Sequence, residues 1–173
     1  MSSPALDTLS RFSGQNPMLL DYLHVNRIEI DLDVTSRKRL FEEIADIASR
    51  NHSPGEAQLM LPLTSECVCE TLNQRERLGS TGIGHGIMLP HGRIKDLPEP
   101  IISVVRLKSP IEYDVPDQVQ IWLAVCLLVP ENANEAHLNL LAELAALLNN
   151  AEFVSALKET ETRFEIMRLF YSA

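Results

Sequence analysis

Apolar and polar positions alternate along the chain with two different periods, and each period predicts its own kind of element. At 28–32, isoleucine and leucine alternate with acidic residues, which predicts a strand. The runs 101–107 and 119–129 are nearly continuous in apolar residues, and the second is typical of a strand that is covered on both faces. Pro130 is expected to end that strand, because proline has no N–H for a sheet.

Apolar residues at helical spacing occupy much of the remaining sequence. The residues that can cap these helices form pairs of alternatives: Thr35 or Ser36, Thr64 or Ser65, and Asn132 or Asn134. The predicted helices cover about 36–51, 65–74, a segment from the Asn132 or Asn134 cap to about 148, 151–158 and 162–171. Strands interleaved with helices predict an α/β fold in which helices cover a sheet.

Composition and charge narrow the possible functions. The chain has 173 residues, a hydrophobic fraction of 45% and a net charge of −9. One domain with a normal core is expected, and nucleic acid is not an expected partner, because phosphate backbones are bound by basic surfaces. The longest apolar run, 121–129, is too short to cross a bilayer, and the N-terminus lacks a secretory signal. We therefore expect a cytoplasmic protein without membrane insertion.

The cysteines add no chemistry of their own. Cys67, Cys69 and Cys126 have neither zinc-site nor redox-motif spacing, and no second pair completes a site. We expect reduced and mostly buried thiols.

A cluster of glycines is the most unusual local feature. Five of the seven glycines lie between 79 and 92, where the backbone must adopt positive φ angles or approach another group closely. Pro90 favours extended geometry before it, so 87–89 is predicted to be a short strand, and Gly92 is expected to let the chain turn. His91 would then be a rigid but reachable ring beside backbone N–H groups that can bind an anion. An ordinary loop histidine is the alternative.

Other chemistries fit these residues less well. The glycine pattern lacks the Lys-Ser/Thr ending of a phosphate-binding loop and the spacing of a dinucleotide fingerprint, so no nucleotide cofactor is expected. His85, His91 and His137 could form a metal site, but no carboxylate or cysteine pair completes it, and we expect no metal. A hydrolase built on Ser80 would lack the Gly-x-Ser-x-Gly elbow.

Phosphoryl transfer to His91 would need a fixed cation near the developing charge. Arg75 and Arg77 precede the glycine cluster at the end of the second predicted helix, where a solvated helix end is the alternative. His137 begins the helix after Pro130. In isolation it is more typical of a surface histidine, and sequence spacing leaves its distance from His91 open.

Two stretches of the chain resemble a known family. The segment 75–92 contains Arg-Glu-Arg-Leu-Gly-Ser-Thr-Gly and ends in Leu-Pro-His-Gly. It closely resembles the phosphorylation-site motif of enzyme IIA domains of the phosphotransferase system, of the mannitol/fructose type and in particular its nitrogen-regulatory branch. The segment 127–144, with Leu-Leu-Val-Pro and Asn-Glu-Ala-His-Leu, agrees. We predict a flexible tail over 1–20 and an enzyme IIA-like domain over 21–173.

The resemblance implies a single α/β domain in which a mixed β-sheet is flanked by helices. It also implies that His91 accepts a phosphoryl group from a phosphohistidine on an HPr- or NPr-type phosphocarrier protein, with His137 and Arg75 in the same pocket. No cofactor is implied. The residues of the glycine turn that are expected to contact the phosphate are Ser80, Thr81 and Gly82.

The match to the nitrogen-regulatory branch predicts a carrier whose phosphorylation state controls its binding to target proteins, such as a transporter, a kinase or a metabolic enzyme. A phosphate adds on the order of two negative charges to an acidic surface, which is enough to make or break a docking site. One alternative is a sugar-transport enzyme IIA that passes phosphate to a IIB protein. Another is a binding module in which His91 is never phosphorylated.

Overall fold

The computed structural model describes residues 17–50, 63–113 and 119–173. Its helices are α1 (Pro17–Leu20), α2 (Arg37–Ala48), α3 (Ser65–Arg77), α4 (Glu135–Leu148), α5 (Ala151–Glu159) and α6 (Arg163–Ser172). Its strands are β1 (Leu23–Leu32), β2 (Gly82–Gly84), β3 (Ile87–Met88), β4 (His91–Ile94), β5 (Ile101–Ile111) and β6 (Ile121–Pro130). The predicted α/β fold is confirmed.

The strands form one mixed sheet in the order β1–β5–β6–β3–β2, and β4 also pairs with β6. β5 is antiparallel to β6, whereas β3 and β4 are both parallel to it. These two short strands lie one after the other along the same edge of β6. His91 pairs with Leu127, so β4 lies beside the carboxyl half of β6.

Two apolar layers cover the two faces of the sheet. Helices α1, α4, α5 and α6 contribute to one layer, and α2 and α3 contribute to the other. Alternate residues of β6 enter different layers: Val125 and Leu127 face the first, and Ala124 and Cys126 face the second. Burial on both faces explains the nearly continuous apolar run of β6, since each buried aliphatic side chain contributes about 1.5–3 kcal/mol.

Side-chain caps decide between the alternative helix starts. Ser36, Thr64 and Asn134 are the N-caps of α2, α3 and α4, and each accepts a hydrogen bond from a backbone N–H of the first turn. Asn149 ends α4 and Asn150 caps α5, so two consecutive asparagines separate two helices.

Several predicted boundaries are corrected. β1 begins at the buried Leu23, and β2 forms where the glycine pattern predicted only a turn. β2 pairs with β3 in an antiparallel hairpin, so the glycines there continue the sheet. Residues 17–20 fall within the predicted tail, yet they form α1, and Leu19 is buried. Residues 1–16 lie outside the described part of the chain.

The prediction of mostly buried thiols is wrong. Cys126 is buried, but Cys69 is only partly buried and Cys67 is exposed. Cys67 and Cys69 lie on α3, whose buried side is formed by Val68, Leu72 and Glu76. The helical period therefore places both cysteines away from the centre of the buried face.

No helix in the described ranges is long and apolar enough by itself to span a membrane. Helices α4 and α5 reach the required length and composition only in combination, and they are bent by 78° relative to each other.

Candidate functional site

A cleft of about 520 Å³ opens beside the carboxyl half of β6. It lies where the end of α3, the strand β4 and the first turns of α4 meet. Its polar lining includes Arg75, His91, Arg93 and His137. Its apolar lining includes Leu78, Leu127, Leu138 and Leu141. The structure thus brings the three predicted catalytic residues, His91, Arg75 and His137, around one cleft.

The His91 ring is held at both of its nitrogens. Nδ1 lies 2.9 Å from the carbonyl oxygen of Leu89, and because a carbonyl oxygen can only accept a hydrogen bond, we assign the proton to Nδ1. Nε2 then carries the lone pair and accepts a hydrogen bond from Nε–H of Arg75 at 3.1 Å. These contacts select one neutral tautomer, whose nucleophilic nitrogen faces the guanidinium group.

Burial and charge keep this ring neutral. Burial is the largest cause that lowers the pKa of His91 below its ordinary value of 6.5, and the positive charge of Arg75 lowers it further. The hydrogen bond to Leu89 and the carboxylate of Glu76 raise the pKa of His91 but do not reverse the shift. At neutral pH the Nε2 lone pair is therefore available for nucleophilic attack.

Arg75 is fixed by the last turn of α3. Its Nη1 donates a hydrogen bond to the carbonyl oxygen of Gly79 at 3.0 Å, while its Nε donates to His91. A guanidinium group held in this way presents several N–H donors in one plane, which suits the oxygens of a phosphoryl group.

His137 reaches the cleft from the first turn of α4. Asn134 caps this helix by accepting a hydrogen bond from the backbone N–H of His137 at 2.8 Å. The ring of Tyr22 meets the His137 ring edge-on, with 6.1 Å between their centroids. Nδ1 of His137 is buried and has no hydrogen-bond partner among the described residues, so the ring has unused capacity for a polar contact.

Gly92 has a different role from the predicted one. It lies within β4 and pairs with Leu128, so the chain does not turn there. A Cβ atom at Gly92 would lie 2.5 Å from Cγ2 of Thr71 on α3. Gly92 therefore allows α3 to approach β4 closely, and this approach puts Arg75 within reach of His91. The positive φ angles expected in the cluster occur instead at Gly79, Gly84 and Gly86.

The predicted phosphate-pocket residues Ser80, Thr81 and Gly82 do not line the cleft. The N–H of Gly82 donates to Oγ of Ser80 at 3.1 Å. The N–H and hydroxyl of Thr81 donate to the carboxylate of Glu76 at 3.2 and 2.7 Å. Because the donors of Thr81 and the N–H of Gly82 are already used within the protein, phosphate contact by these two residues would require their rearrangement, and phosphate contact by the turn stays a prediction.

Glu76 and Tyr113 were not predicted to belong near the site. Glu76 is only 8% exposed, and its carboxylate accepts hydrogen bonds from Thr81 and from the hydroxyl of Tyr113. Helical spacing was the signal that could have identified it, because Glu76 follows the buried Val68 and Leu72 at intervals of four residues.

The three histidines considered as a metal site, His85, His91 and His137, are not brought together around the cleft. His85 is exposed in the turn between β2 and β3 and does not line the cleft with His91 and His137. Over 17–50, 63–113 and 119–173, no three side chains of the His, Cys, Asp or Glu type are grouped to hold a metal ion.

The chain is similar in sequence to a known protein family and similar in structure to proteins that have been solved. A model of the family described as "Phosphoenolpyruvate-dependent sugar phosphotransferase system, EIIA 2" matches residues 21–173. A nitrogen regulatory protein of Pseudomonas aeruginosa is 39% identical over 127 residues, which cover 73% of this chain and 77% of that protein. The crystal structure of nitrogen regulatory protein IIA-Ntr from Neisseria meningitidis superposes on this chain with a TM-score of 0.78. The match has 33% sequence identity and covers 88% of this chain and 98% of the Neisseria chain. The crystal structure of IIA mannitol from Escherichia coli shares the fold, with 16% identity over 86% of this chain and 98% of its own and a TM-score of 0.65.

Proposed function

The chain belongs to the EIIA 2 family of the phosphoenolpyruvate-dependent sugar phosphotransferase system, and we propose that it is a regulatory phosphocarrier that accepts a phosphoryl group on Nε2 of His91. The observation that carries the proposal is the state of the His91 ring. Its Nδ1 proton is engaged by Leu89, and its Nε2 lone pair faces an arginine at the edge of a cleft.

The transfer step needs no strong base. Nε2 of His91 attacks the phosphorus of a phosphohistidine on an HPr- or NPr-type carrier, and a new N–P bond forms as the carrier's N–P bond breaks. The carrier's imidazole leaves with the electron pair of the broken bond. The Nδ1 proton of His91 stays in place, and the Leu89 carbonyl stabilises the positive charge that develops on the ring. Because the transition state is loose, positioning and charge stabilisation supply most of the catalysis.

Arg75 changes partner during this step. Before transfer its Nε–H occupies the Nε2 lone pair, and on arrival of the phosphoryl group the same N–H donates to a phosphate oxygen. His137, which also lines the cleft, supplies a second contact. Each hydrogen bond to the charged group contributes about 1.5–3 kcal/mol.

The regulatory role is supported by the names and similarity of the relatives. The P. aeruginosa protein and the N. meningitidis structure are both named nitrogen regulatory proteins and share 39% and 33% identity with this chain. The likeness to IIA mannitol, at 16% identity, supports the fold alone. We place the protein in the cytoplasm, where its two states bind a transporter, a kinase or a metabolic enzyme with different affinity.

The deciding experiment is phosphate labelling. The chain is incubated with labelled phosphoenolpyruvate, enzyme I and an HPr-type carrier, and a known enzyme IIA serves as the positive control. We expect acid-labile label on the wild type and none on His91→Ala. An unlabelled wild type beside a labelled control would overturn the proposal, and label on His91→Ala would move the site to another residue.

A second stage separates regulation from sugar transport. Labelled protein is mixed with IIB domains and their sugars, and the loss of label is followed with time. A regulatory carrier keeps its label under these conditions. Rapid discharge to a IIB domain in the presence of sugar would support the transport alternative.

A further inference from the structure

Two chains of contacts connect the His91 ring to Glu76, one from each ring nitrogen, and together they form a closed circuit. One arm leaves from Nδ1: its proton goes to the carbonyl oxygen of Leu89, and the N–H of Leu89 donates to the carbonyl oxygen of Thr81 at 2.9 Å. Thr81 in turn donates its N–H and its hydroxyl to the Glu76 carboxylate. The arm therefore connects the protonated nitrogen of the ring to a buried charge.

The other arm leaves from Nε2 and ends at the same residue. Arg75 donates to Nε2 and is the residue immediately before Glu76 on α3. Consecutive helical residues point in directions about 100° apart, so Arg75 can face the cleft while Glu76 faces the interior. The turn that follows is closed by the Gly79 N–H, which donates to the Glu76 carbonyl oxygen at 3.1 Å, and by Arg75, which donates to the Gly79 carbonyl oxygen.

The Glu76 carboxylate is buried and held by several hydrogen-bond donors. It is a charged group with 8% exposure, and a charge at this depth is stable only when donors satisfy it. Thr81 supplies two donors and the Tyr113 hydroxyl supplies another. Burial and the neighbouring Glu76 raise the pKa of Tyr113 above its ordinary value of 10, so the phenol keeps its proton and donates. The guanidinium of Arg37 lies 5.6 Å from the centre of the Tyr113 ring, which connects this network to the start of α2.

We propose that Glu76, acting through Thr81, is a positioning residue that fixes the tautomer and orientation of His91. The proposal rests on the proposed function for its effect on phosphoryl transfer. Its effect on the ring itself does not depend on that function. Among the described residues Glu76 makes no hydrogen bond to His91, and it acts by holding Thr81, and hence Leu89, in place. In this arrangement Thr81 helps to orient the acceptor ring.

The test compares graded changes in the circuit with a matched change elsewhere. Glu76→Leu removes every acceptor of the carboxylate, Glu76→Gln keeps one acceptor oxygen, and Thr81→Val removes only the hydroxyl donor. The control is Thr160→Val. Thr160 is a buried threonine whose hydroxyl donates to the Leu157 carbonyl oxygen and accepts from Nη1 of Arg106, outside the cleft. Two quantities are measured at a pH where His91 is neutral: the ¹⁵N chemical shifts of both His91 ring nitrogens, and the kcat and KM for phosphoryl uptake from the carrier.

We expect the wild type and Thr160→Val to show a single Nδ1–H tautomer. Glu76→Leu and Thr81→Val should shift both ring nitrogens towards averaged values, and Glu76→Gln should retain more of the wild-type pattern. We expect kcat to fall by on the order of ten- to a hundredfold in the first two variants while KM for the carrier stays within about twofold, because misplacement affects the reacting atoms more than docking.

Thr81→Val keeps the test decisive if Glu76→Leu does not fold, because it loses one hydroxyl and no charge. Unchanged ¹⁵N shifts and an unchanged kcat in folded Thr81→Val and Glu76→Gln would overturn the proposal. Failure of the proposed function has a different outcome: the wild type would take up no phosphate, while the ring shifts would still report whether Glu76 positions His91.

Discussion

At the scale of single residues, the contact between Arg75 and His91 has two consequences. A guanidinium group donates hydrogen bonds and accepts none, so the contact from Nε of Arg75 leaves the lone pair on Nε2 of His91. The positive charge of Arg75 adds to the effect of burial and lowers the pKa of His91. The same side chain thus holds the ring in its reactive form and occupies the position that a phosphoryl group would enter.

Replacing Arg75 with glutamine separates charge from burial. We expect the pKa of His91 to rise in Arg75→Gln, because the positive charge of Arg75 is one of the two causes that lower it and the other cause, burial, remains. Loss of about 1.5–3 kcal/mol of charged hydrogen bonding corresponds to a decrease in phosphoryl uptake of about 10- to 150-fold. The pKa is measured by NMR titration of the ring. Arg77→Gln, an exposed position on the same helix, is the control. An unchanged pKa in Arg75→Gln would contradict this account of the electrostatics.

The lowered pKa of His91 also sets the direction of two pH dependences. Only the neutral ring attacks phosphorus, so uptake in the wild type should fall at a lower pH than it would for a histidine with the ordinary pKa of 6.5, as long as the carrier itself is not limiting. Between the folded and unfolded pKa values the unfolded chain binds more protons, so the free energy of unfolding should fall as pH is lowered through that window. Denaturant titrations of wild type and His91→Gln measure this difference. Equal slopes with pH would show that His91 is not its source.

At the scale of elements, the approach of α3 to β4 creates the site. Thr71 on α3 lies over Gly92 on β4, where a Cβ atom would come within 2.5 Å of the threonine methyl group. Arg75 is one helical turn beyond Thr71 and reaches His91 from there. The spacing between these two elements therefore controls whether the cation and the nucleophile meet.

Gly92→Ala tests this spacing. We expect it to push α3 away from β4, to lower the free energy of unfolding by about 1–3 kcal/mol and to decrease phosphoryl uptake by at least tenfold. The additional change Thr71→Ser removes the clashing methyl and keeps the hydroxyl that donates to the Cys67 carbonyl oxygen. Thermal unfolding and labelling of both variants give the readout. If Thr71→Ser restored neither stability nor uptake, the close contact would not be the cause.

At the scale of the whole molecule, β6 is buried between two apolar layers, and Cys126 lies at its centre. Burial raises the pKa of Cys126 to about 12, so this thiol is both inaccessible and protonated in the folded state. Exposing it requires separation of the sheet from the layer formed by α2 and α3. Its reactivity therefore reports on global unfolding.

Thiol labelling checks this prediction with an internal control. We expect the exposed Cys67 to react at once with a thiol reagent in the native protein, and Cys126 to react only at the rate allowed by global opening. Mass spectrometry in increasing denaturant should give a labelling free energy for Cys126 equal to the free energy of unfolding from circular dichroism. Fast labelling of Cys126 without denaturant would mean that the two layers separate locally.

Much of the fold was predictable because its signals are local. The two-sided burial of β6 appears as a continuous apolar run, and helix starts coincide with Ser36, Thr64 and Asn134, which satisfy backbone N–H groups within one turn. β2 was missed because its strand geometry depends on pairing with β3. Glycines by themselves indicate only conformational freedom.

The sequence by itself determined the elements and the acidic balance, since periodicity and charge can be read from neighbouring residues, and the resemblance of segment 75–92 to a phosphorylation-site motif made His91 the candidate acceptor. Only the tertiary structure decided how that histidine is held. Arg75 is 16 residues away from His91 and meets it because Gly92 lets α3 approach. The two Thr81 donors expected at the phosphate are instead committed to Glu76. Such outcomes depend on which buried polar groups form hydrogen bonds with one another, and these partners are fixed only when distant segments of the chain pack together.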